Sequence, residues 1–459
     1  MTPMDRIAAE LEGYDPQALS ATTVNAFLSR LVEPVTEDEV VEIFQTLGRV
    51  LAHDVISPLS VPPHDNSAMD GYAFDGAQLG PTPLVLKVLG TAMAGKAWTG
   101  PVQPGECVKI MTGAIMPQGL DTVVPQEFVT RPIAPTGLAT GSSSWPEAIV
   151  IPAGLLQAGD NRRKLGEDLM EGQPALQKGE LLTPAALGLL ASLGIARIPV
   201  WRKLRVAYFS TGDEILSLGE APREGAVFDS NRYTVFGLLT RLGCEVIDLG
   251  VVRDEPALLE AAFIRAARAA DAIITSGGVS VGEADYTKAM MKKLGDVAFW
   301  KIAMRPGRPM AVGRLLKNKL TPIPYEISAS SYQKNSVSAT SEAAILFGLP
   351  GNPVAVMVTF LAFVRPALLK MMGSIAAPPP LLKARSVEAI RKKPGRTEYQ
   401  RGTVSSSPDG SLQVKTTGNQ GSGVLSSMVR ANGLIVLHHQ QGNVAPGDEI
   451  DVMMFDGVI

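Results

Sequence analysis

The chain has 459 residues, 46% hydrophobic and 19% charged, the composition of a globular protein with room for roughly three or four domains. A formal net charge of -3 argues against a general nucleic-acid binder, and Cys107 and Cys244 alone give neither a disulfide framework nor a thiolate metal cluster. His53, His64, His438 and His439 form no zinc spacing, and neither a signal pattern nor a bilayer-long apolar run is evident, so a cytoplasmic protein without membrane partners is expected.

Residues 22–56 read as two amphipathic helices. Val24, Phe27, Leu28 and Leu31 mark one face of the first, and Val41, Ile43, Phe44 and Leu47 the face of the second, over 37–51. Pro58, Pro62 and Pro63 break this pattern. The stretch Asp65-Asn-Ser-Ala-Met-Asp-Gly-Tyr-Ala73 then packs four small polar side chains into a loop, where Asp70-Gly71 also suits a plain turn. From 70 to 150, short β-rich runs such as 83–89 and 106–110 alternate with Gly/Pro turns, as in a small β domain. Residues 158–168 mix Arg162, Arg163 and Lys164 with Glu167 and Asp168, which also fits a solvated hinge. A helix is expected over 183–193, with Pro184 near its start. Segments 134–148 and 317–344 are aperiodic and rich in small polar residues, and poor order is expected there.

Between 205 and 372 the period alternates. Strands are expected at 206–209, 245–252 and 272–274, and helices at 233–242 and 256–270. That implies βαβ units and a mostly parallel sheet covered on both faces. Ligands of such sheets bind beyond the carboxyl ends of the strands. Here those ends carry Ser210-Thr-Gly-Asp-Glu214, Asp229-Ser-Asn231, Arg253-Asp254 and Ser276-Gly-Gly-Val-Ser-Val-Gly-Glu-Ala-Asp285. Glycines at 277, 278 and 282 let backbone N–H groups approach phosphate oxygens, with positive potential from a following helix. Glu283 and Asp285 would repel that anion unless a cation bridged them, so phosphate with Mg²⁺ is indicated, although an ordinary βα turn fits the same residues. No Gly-Lys-[Ser/Thr] closes the loop, so it is not a Walker A motif. Glu214, Asp254 and Asp285 supply hard oxygen ligands.

The cations follow. Lys301, Arg305 and Arg308 surround a Pro-Gly turn, where they can bind phosphate or another tetrahedral oxyanion, or form a basic surface hairpin. Gly348-Leu-Pro-Gly-Asn-Pro353 precedes an apolar helix over 354–369, which Asn352 can cap. After Pro378-Pro-Pro380 short strands resume, with a turn at Pro408-Asp-Gly410, and read as a separate β domain.

Taken together, the segments 65–73, Met111-Thr-Gly-Ala114, 211–214, 276–285, 348–353 and Asn419-Gln-Gly-Ser-Gly-Val-Leu-Ser-Ser-Met428 closely resemble the molybdopterin molybdenumtransferase family, which includes the gephyrin E domain. The resemblance covers almost the whole chain. It implies a multidomain α/β plus β fold. The central, mostly parallel sheet domain (1–25 with 203–373) resembles molybdopterin adenylyltransferase. A helical linker domain (26–62 with 150–202), a small β domain (63–149) and a C-terminal β-barrel-like domain (374–459) flank it. The implied reaction inserts molybdate into adenylylated molybdopterin with release of AMP, requires Mg²⁺, and occurs in a homodimer whose small β domain completes the partner's site. Transient contact with other cofactor-biosynthesis proteins is also implied.

By matching motifs, the resemblance gives catalytic roles to Asp70, Thr112, Glu214, Asp285, Lys301 and Arg305. Arg163, Asp168, Ser276, Gly277, Gly278, Ser280, Gly282, Arg308, Pro350, Gly351 and Asn352 bind substrate, and Glu214, Asp254 and Asp285 hold the metal. The sequence departs from the family at Arg305-Pro-Gly-Arg308, where lysines are usual; arginine keeps the charge but donates in a planar fork. Adenylyl transfer to a pterin, or a gephyrin-like scaffold, remain the alternatives.

Overall fold

The computed structural model describes residues 1–131, 147–279, 286–317 and 342–455. They form two compact units: Met1–His53, Gly179–Thr183 and Arg197–Ile459, and Asp54–Lys178 with Pro184–Ala196.

The larger unit is built on a six-stranded sheet in the order Glu245–Val252, Arg205–Thr211, Ala272–Ser276, Ala343–Leu349, Pro309–Leu316, Gly295–Lys301. The first four strands run parallel, and only Pro309–Leu316 is reversed against its neighbours. The central strands show no polar alternation because both faces are covered: every residue of Ala272–Ser276 and Ala343–Leu349 is buried. On one face lie the helices Ser230–Arg241, Pro353–Thr359 and Ala21–Leu31, the last inserting Val24, Phe27, Leu28 and Leu31, as its spacing predicts. Pro256–Ala269 and Tyr286–Leu294 cover the other, through Leu259, Phe263 and Met291. Burying side chains of this size stabilises by about 1.5–3 kcal/mol each. The N-terminus begins with an unforeseen helix, Pro3–Glu10, whose signal was present in Thr2-Pro-Met-Asp5: Thr2 and Asp5 form a reciprocal capping box.

Three expectations need correction. Residues 37–51 are not a helix. Asp38–Glu42 is a strand paired antiparallel with Arg197–Trp201, followed by a short 3₁₀ turn, and Phe44 is exposed. The apolar spacing resembled a helical face, but β-branched Val40 and Val41 found a partner strand far along the chain. Second, the insertion ends lie inside the expected limits. Leu316 pairs with Ala343 and the Lys317 N–H donates to the Glu342 carbonyl, so 343–344 belong to a strand; Ala148 likewise starts the strand Ala148–Ile151. Residues 132–146 and 318–341 lie outside the described residues. Third, one helical run, Pro353–Met371, is long and apolar enough to cross a membrane by length and composition, yet 67% of its apolar window is buried inside the protein. It is a core helix of this unit.

The C-terminal strands close on themselves: Thr397–Ser406, Leu412–Thr416, Leu382–Ser386, Glu449–Met454 and Gly433–Leu437, the last pairing back to the first. Met304–Arg305 adds a short sixth strand against Thr397–Glu398, which ties the cationic turn to this barrel.

The smaller unit carries a five-stranded sheet in the order Thr122–Pro125, Gly71–Phe74, Glu106–Ile110, Leu84–Ala92, Ala148–Ile151. The helix Pro184–Ser192 also belongs to it.

Candidate functional site

Each compact unit gathers its own group of the expected residues. In the larger unit the four parallel strands and Gly295–Lys301 all end at one edge, where the reversed Pro309–Leu316 begins; Lys301 and Pro309 are register partners. The ends of these strands therefore place Glu214, Asp254, Gly277, Lys301, Arg308 and Gly351 along the same edge. Two of its loops lie against each other. A Cβ at Gly277 would sit 2.5 Å from the Thr211 carbonyl oxygen, and one at Gly278 2.5 Å from Thr287 Cβ, so only glycine fits at either position. Gly351 follows 4.0 Å from Gly277 by the same measure, and Asn231 Nδ2 donates to the Gly351 carbonyl oxygen at 2.7 Å. Asn352 opens the helix Pro353–Thr359 without a side-chain cap bond, and Pro350 is buried beside it.

The Ser276 hydroxyl turns inward, 2.7 Å from Tyr208 Oη and 3.2 Å from Ser210 Oγ, so Ser276 presents backbone to the edge. Burial, then the nearby Asp229 carboxylate, pushes the Tyr208 phenol well above its ordinary range, and it stays neutral. The Asp254 N–H donates to Asp213 Oδ1 at 3.3 Å, joining the loop after Glu245–Val252 to the one that carries Glu214. Glu214 folds back over Gly212, where a Cβ would lie 2.5 Å from its carboxylate. Ser280, Gly282 and Asp285 lie outside the described residues.

The donor set suits Mg²⁺ in kind, since Glu214 and Asp254 are hard oxygen ligands on adjoining loops. No group of three His, Cys, Asp or Glu is poised around a metal among the described residues. A Mg²⁺ held here would complete its shell from substrate phosphate oxygens and water, as Mg²⁺ commonly does.

The cationic turn is closed by the Ile302 N–H donating to the Arg308 carbonyl oxygen at 2.7 Å, with Arg305 and Arg308 exposed and Lys301 half-buried. Against it stands a residue that sequence reading missed. Arg401, on the barrel strand Thr397–Ser406, is 0% exposed and has no salt-bridge partner among the described residues. Its Nε donates to Ser427 Oγ at 2.9 Å and its Nη2 to the Asn419 and Gly421 carbonyl oxygens at 3.2 and 2.9 Å; Nη1 has no partner. Burial, then repulsion from Arg305, pushes its pKa down to about 10. Because Arg401 is fully buried and lacks a carboxylate partner among the described residues, it adds positive potential behind the exposed Arg305 without itself reaching solvent. The loop Arg401 holds also meets the sheet edge, where the Val354 N–H donates to the Ser422 carbonyl oxygen at 3.0 Å. Nothing local in the sequence marks Arg401, because its burial depends on barrel closure.

In the smaller unit, Asp70 heads the strand Gly71–Phe74. A Cβ on Gly71 would lie 2.0 Å from the Val124 carbonyl oxygen, so the glycine is needed for strand packing. Asp70 Oδ1 accepts from the Thr112 backbone N–H at 2.7 Å and its hydroxyl at 2.8 Å, and these two bonds, in that order, hold the carboxyl below its ordinary range. Arg162–Arg163 pairs with Asn66–Ser67, and the Leu165 N–H donates to Asp65 Oδ1 at 2.8 Å. The Asp168 N–H donates to the Val61 carbonyl oxygen. The loops carrying Asp70, Arg163 and Asp168 are thus stitched together within that unit.

Comparison with known proteins matches three family models in succession. They are the MoeA N-terminal region (domain I and II) over residues 18–194, a probable molybdopterin binding domain over 207–370, and the MoeA C-terminal region (domain IV) over 383–455. The chain is 39% identical to a molybdopterin molybdenumtransferase of Haemophilus influenzae, over 95% of this chain and 99% of that one. It is 31% identical to the protein of the same name from a Nostoc species, over 96% and 95%. A crystal structure of a molybdopterin biosynthesis moeA protein from Pyrococcus horikoshii superposes with a TM-score of 0.73 at 25% identity, covering 95% of this chain and all of that one.

Proposed function

Since the chain belongs to the molybdopterin molybdenumtransferase family, and is an enzyme inserting molybdenum in molybdenum cofactor biosynthesis, we propose that it uses molybdate and adenylylated molybdopterin, releases AMP, and requires Mg²⁺. The observation that carries this reading is that Lys301 and the turn bearing Arg308 share the carboxyl edge of the sheet with the mutually packed glycine loops at Gly277 and Gly351. In it, backbone N–H groups at Gly277, Gly278 and Gly351 hold the pyrophosphate, with Asn352 beside them. Lys301, Arg305 and Arg308 hold the molybdate dianion, whose charge is poorly replaced by water, and the buried Arg401 adds positive potential behind them. Glu214, Asp254 and Asp285 hold Mg²⁺, and Asp70, Thr112, Arg163 and Asp168 contact substrate from a second copy of the chain. Bound Mg²⁺ would neutralise the pyrophosphate and make adenylate a better leaving group. Water adds to the pterin-side phosphorus as the P–O bond to adenylate breaks, so AMP departs and the pterin keeps its phosphate. The two dithiolene sulfurs bond molybdenum as one molybdate oxygen takes two protons and leaves as water, with molybdenum staying hexavalent.

A homodimer in the cytoplasm, with transient contact to other cofactor-biosynthesis proteins, belongs to the same proposal. The dimer is supported by exposed apolar side chains on two consecutive elements, Val227 and Phe228 on a short strand and Tyr233 and Phe236 on the helix that follows, which a second copy would cover. The test combines purified protein, adenylylated molybdopterin, Mg²⁺ and molybdate and follows AMP and cofactor formation. Molybdate-dependent AMP release is expected; ATP consumption with adenylate formation would point to adenylyl transfer, and neither activity to a scaffold.

A further inference from the structure

Thr359 ends the helix Pro353–Thr359, immediately before a π-helical turn over Phe360–Val364. It is 0% exposed, and its Oγ1 has no hydrogen-bond partner. A mid-helix threonine ordinarily returns its hydroxyl to the carbonyl four residues back, here that of Ala355, and this bond is not made. The hydroxyl instead faces the cationic turn. A Cβ placed on Gly307 would lie 2.4 Å from Thr359 Oγ1 and 3.4 Å from the Ala355 carbonyl oxygen, and Gly307 itself has a φ of +94°. The one helix therefore begins under the Gly351–Asn352 loop and ends under the turn that carries Arg305 and Arg308. Leaving a fully buried hydroxyl unbonded is costly, and such a group calls for a partner gained in another state. A π turn directly after it is a frequent companion of functional sites.

We propose that Thr359 is a positioning residue for the oxyanion: when Arg305 and Arg308 engage molybdate, the Thr359 hydroxyl takes a hydrogen bond with a main-chain group of Gly307 and fixes the turn against the helix that also supports the pyrophosphate loop. Thr359 does not touch the ligand, since its hydroxyl is buried beneath Gly307. This inference rests on the reading of the 305–308 turn as the molybdate site.

The test uses the full chain, with molybdate titrated calorimetrically and thermal unfolding followed in parallel. Thr359→Val keeps the shape and removes the hydroxyl; Thr359→Ser keeps the hydroxyl and removes a methyl group. The two orders should oppose each other. Valine should weaken molybdate binding about tenfold with Tm at or above that of the parent, because the free protein loses only an unbonded group. Serine should lower Tm and leave molybdate affinity near that of the parent. Arg305→Ala serves as the control, and adding Thr359→Val to it should weaken binding no further. Parent-like affinity in Thr359→Val, or equal losses in the valine and serine variants, overturns the proposal. If Arg305→Ala weakens binding and Thr359→Val does not, only the role of Thr359 falls. If Arg305→Ala also leaves the affinity unchanged, the molybdate site itself is misplaced and the inference falls with it.

Discussion

Replacing Arg401 by methionine keeps most of the side-chain volume and removes the charge together with its bonds. In the folded protein the guanidinium makes three hydrogen bonds, to Ser427 Oγ and to the Asn419 and Gly421 carbonyl oxygens. Bonds from a charged donor are worth roughly 1.5–3 kcal/mol each, but the variant also avoids burying a cation that has no carboxylate partner. These terms oppose each other, leaving a net destabilisation of about 2 kcal/mol, readable as a lower urea midpoint at unchanged m-value. The functional term is separate. If the buried Arg401 supports an oxyanion at Arg305 through its field, losing that charge should weaken molybdate binding by roughly tenfold. Arg401→Lys should recover part of that affinity, because the charge remains although the fork is lost. Calorimetric titration of molybdate into each folded variant measures it. Unchanged affinity in a folded Arg401→Met protein would refute that electrostatic support and leave Arg401 as a strut for the 419–421 loop.

Replacing residues 318–341 by Asn-Gly should leave the fold and its unfolding transition intact, because Leu316 and Ala343 are already paired and Lys317 bonds Glu342; loss of cooperative unfolding would contradict this. Asp254→Asn and Asp285→Asn should each keep substrate affinity while slowing Mg²⁺-dependent AMP release, and normal release from either folded variant would remove that residue from the metal site. Asp271 is buried, which alone would raise its pKa, but bonds from Arg202 and the Arg205 N–H hold it below the ordinary carboxylate range. Its contribution to stability is therefore present above the ordinary carboxylate range and lost as pH falls through its lower folded pKa. Stability of Asp271→Asn should fall less steeply than that of the parent below about pH 4, measured by urea unfolding across pH.

What could be read from the chain alone was whatever depends on neighbours in sequence. The alternation from 205 to 276 gave the parallel strands because runs such as Val206–Phe209 are apolar on both faces, and the 3.6-residue spacing of Val24, Phe27, Leu28 and Leu31 marked the helix that buries them. The polar strand ends and the glycines of 276–282 pointed to the carboxyl edge, since close backbone approach is a local requirement. Tertiary structure decided what depends on partners distant in the chain. Asp38–Glu42 became a strand only because Arg197–Trp201 lay beside it. The Ser276 hydroxyl was claimed by Tyr208, 68 residues away. Arg401 became an unneutralised cation near Arg305 only when the barrel closed and Met304–Arg305 joined its edge, and burial, which sets the cost of that charge, is a property of the packed chain and not of any segment of it.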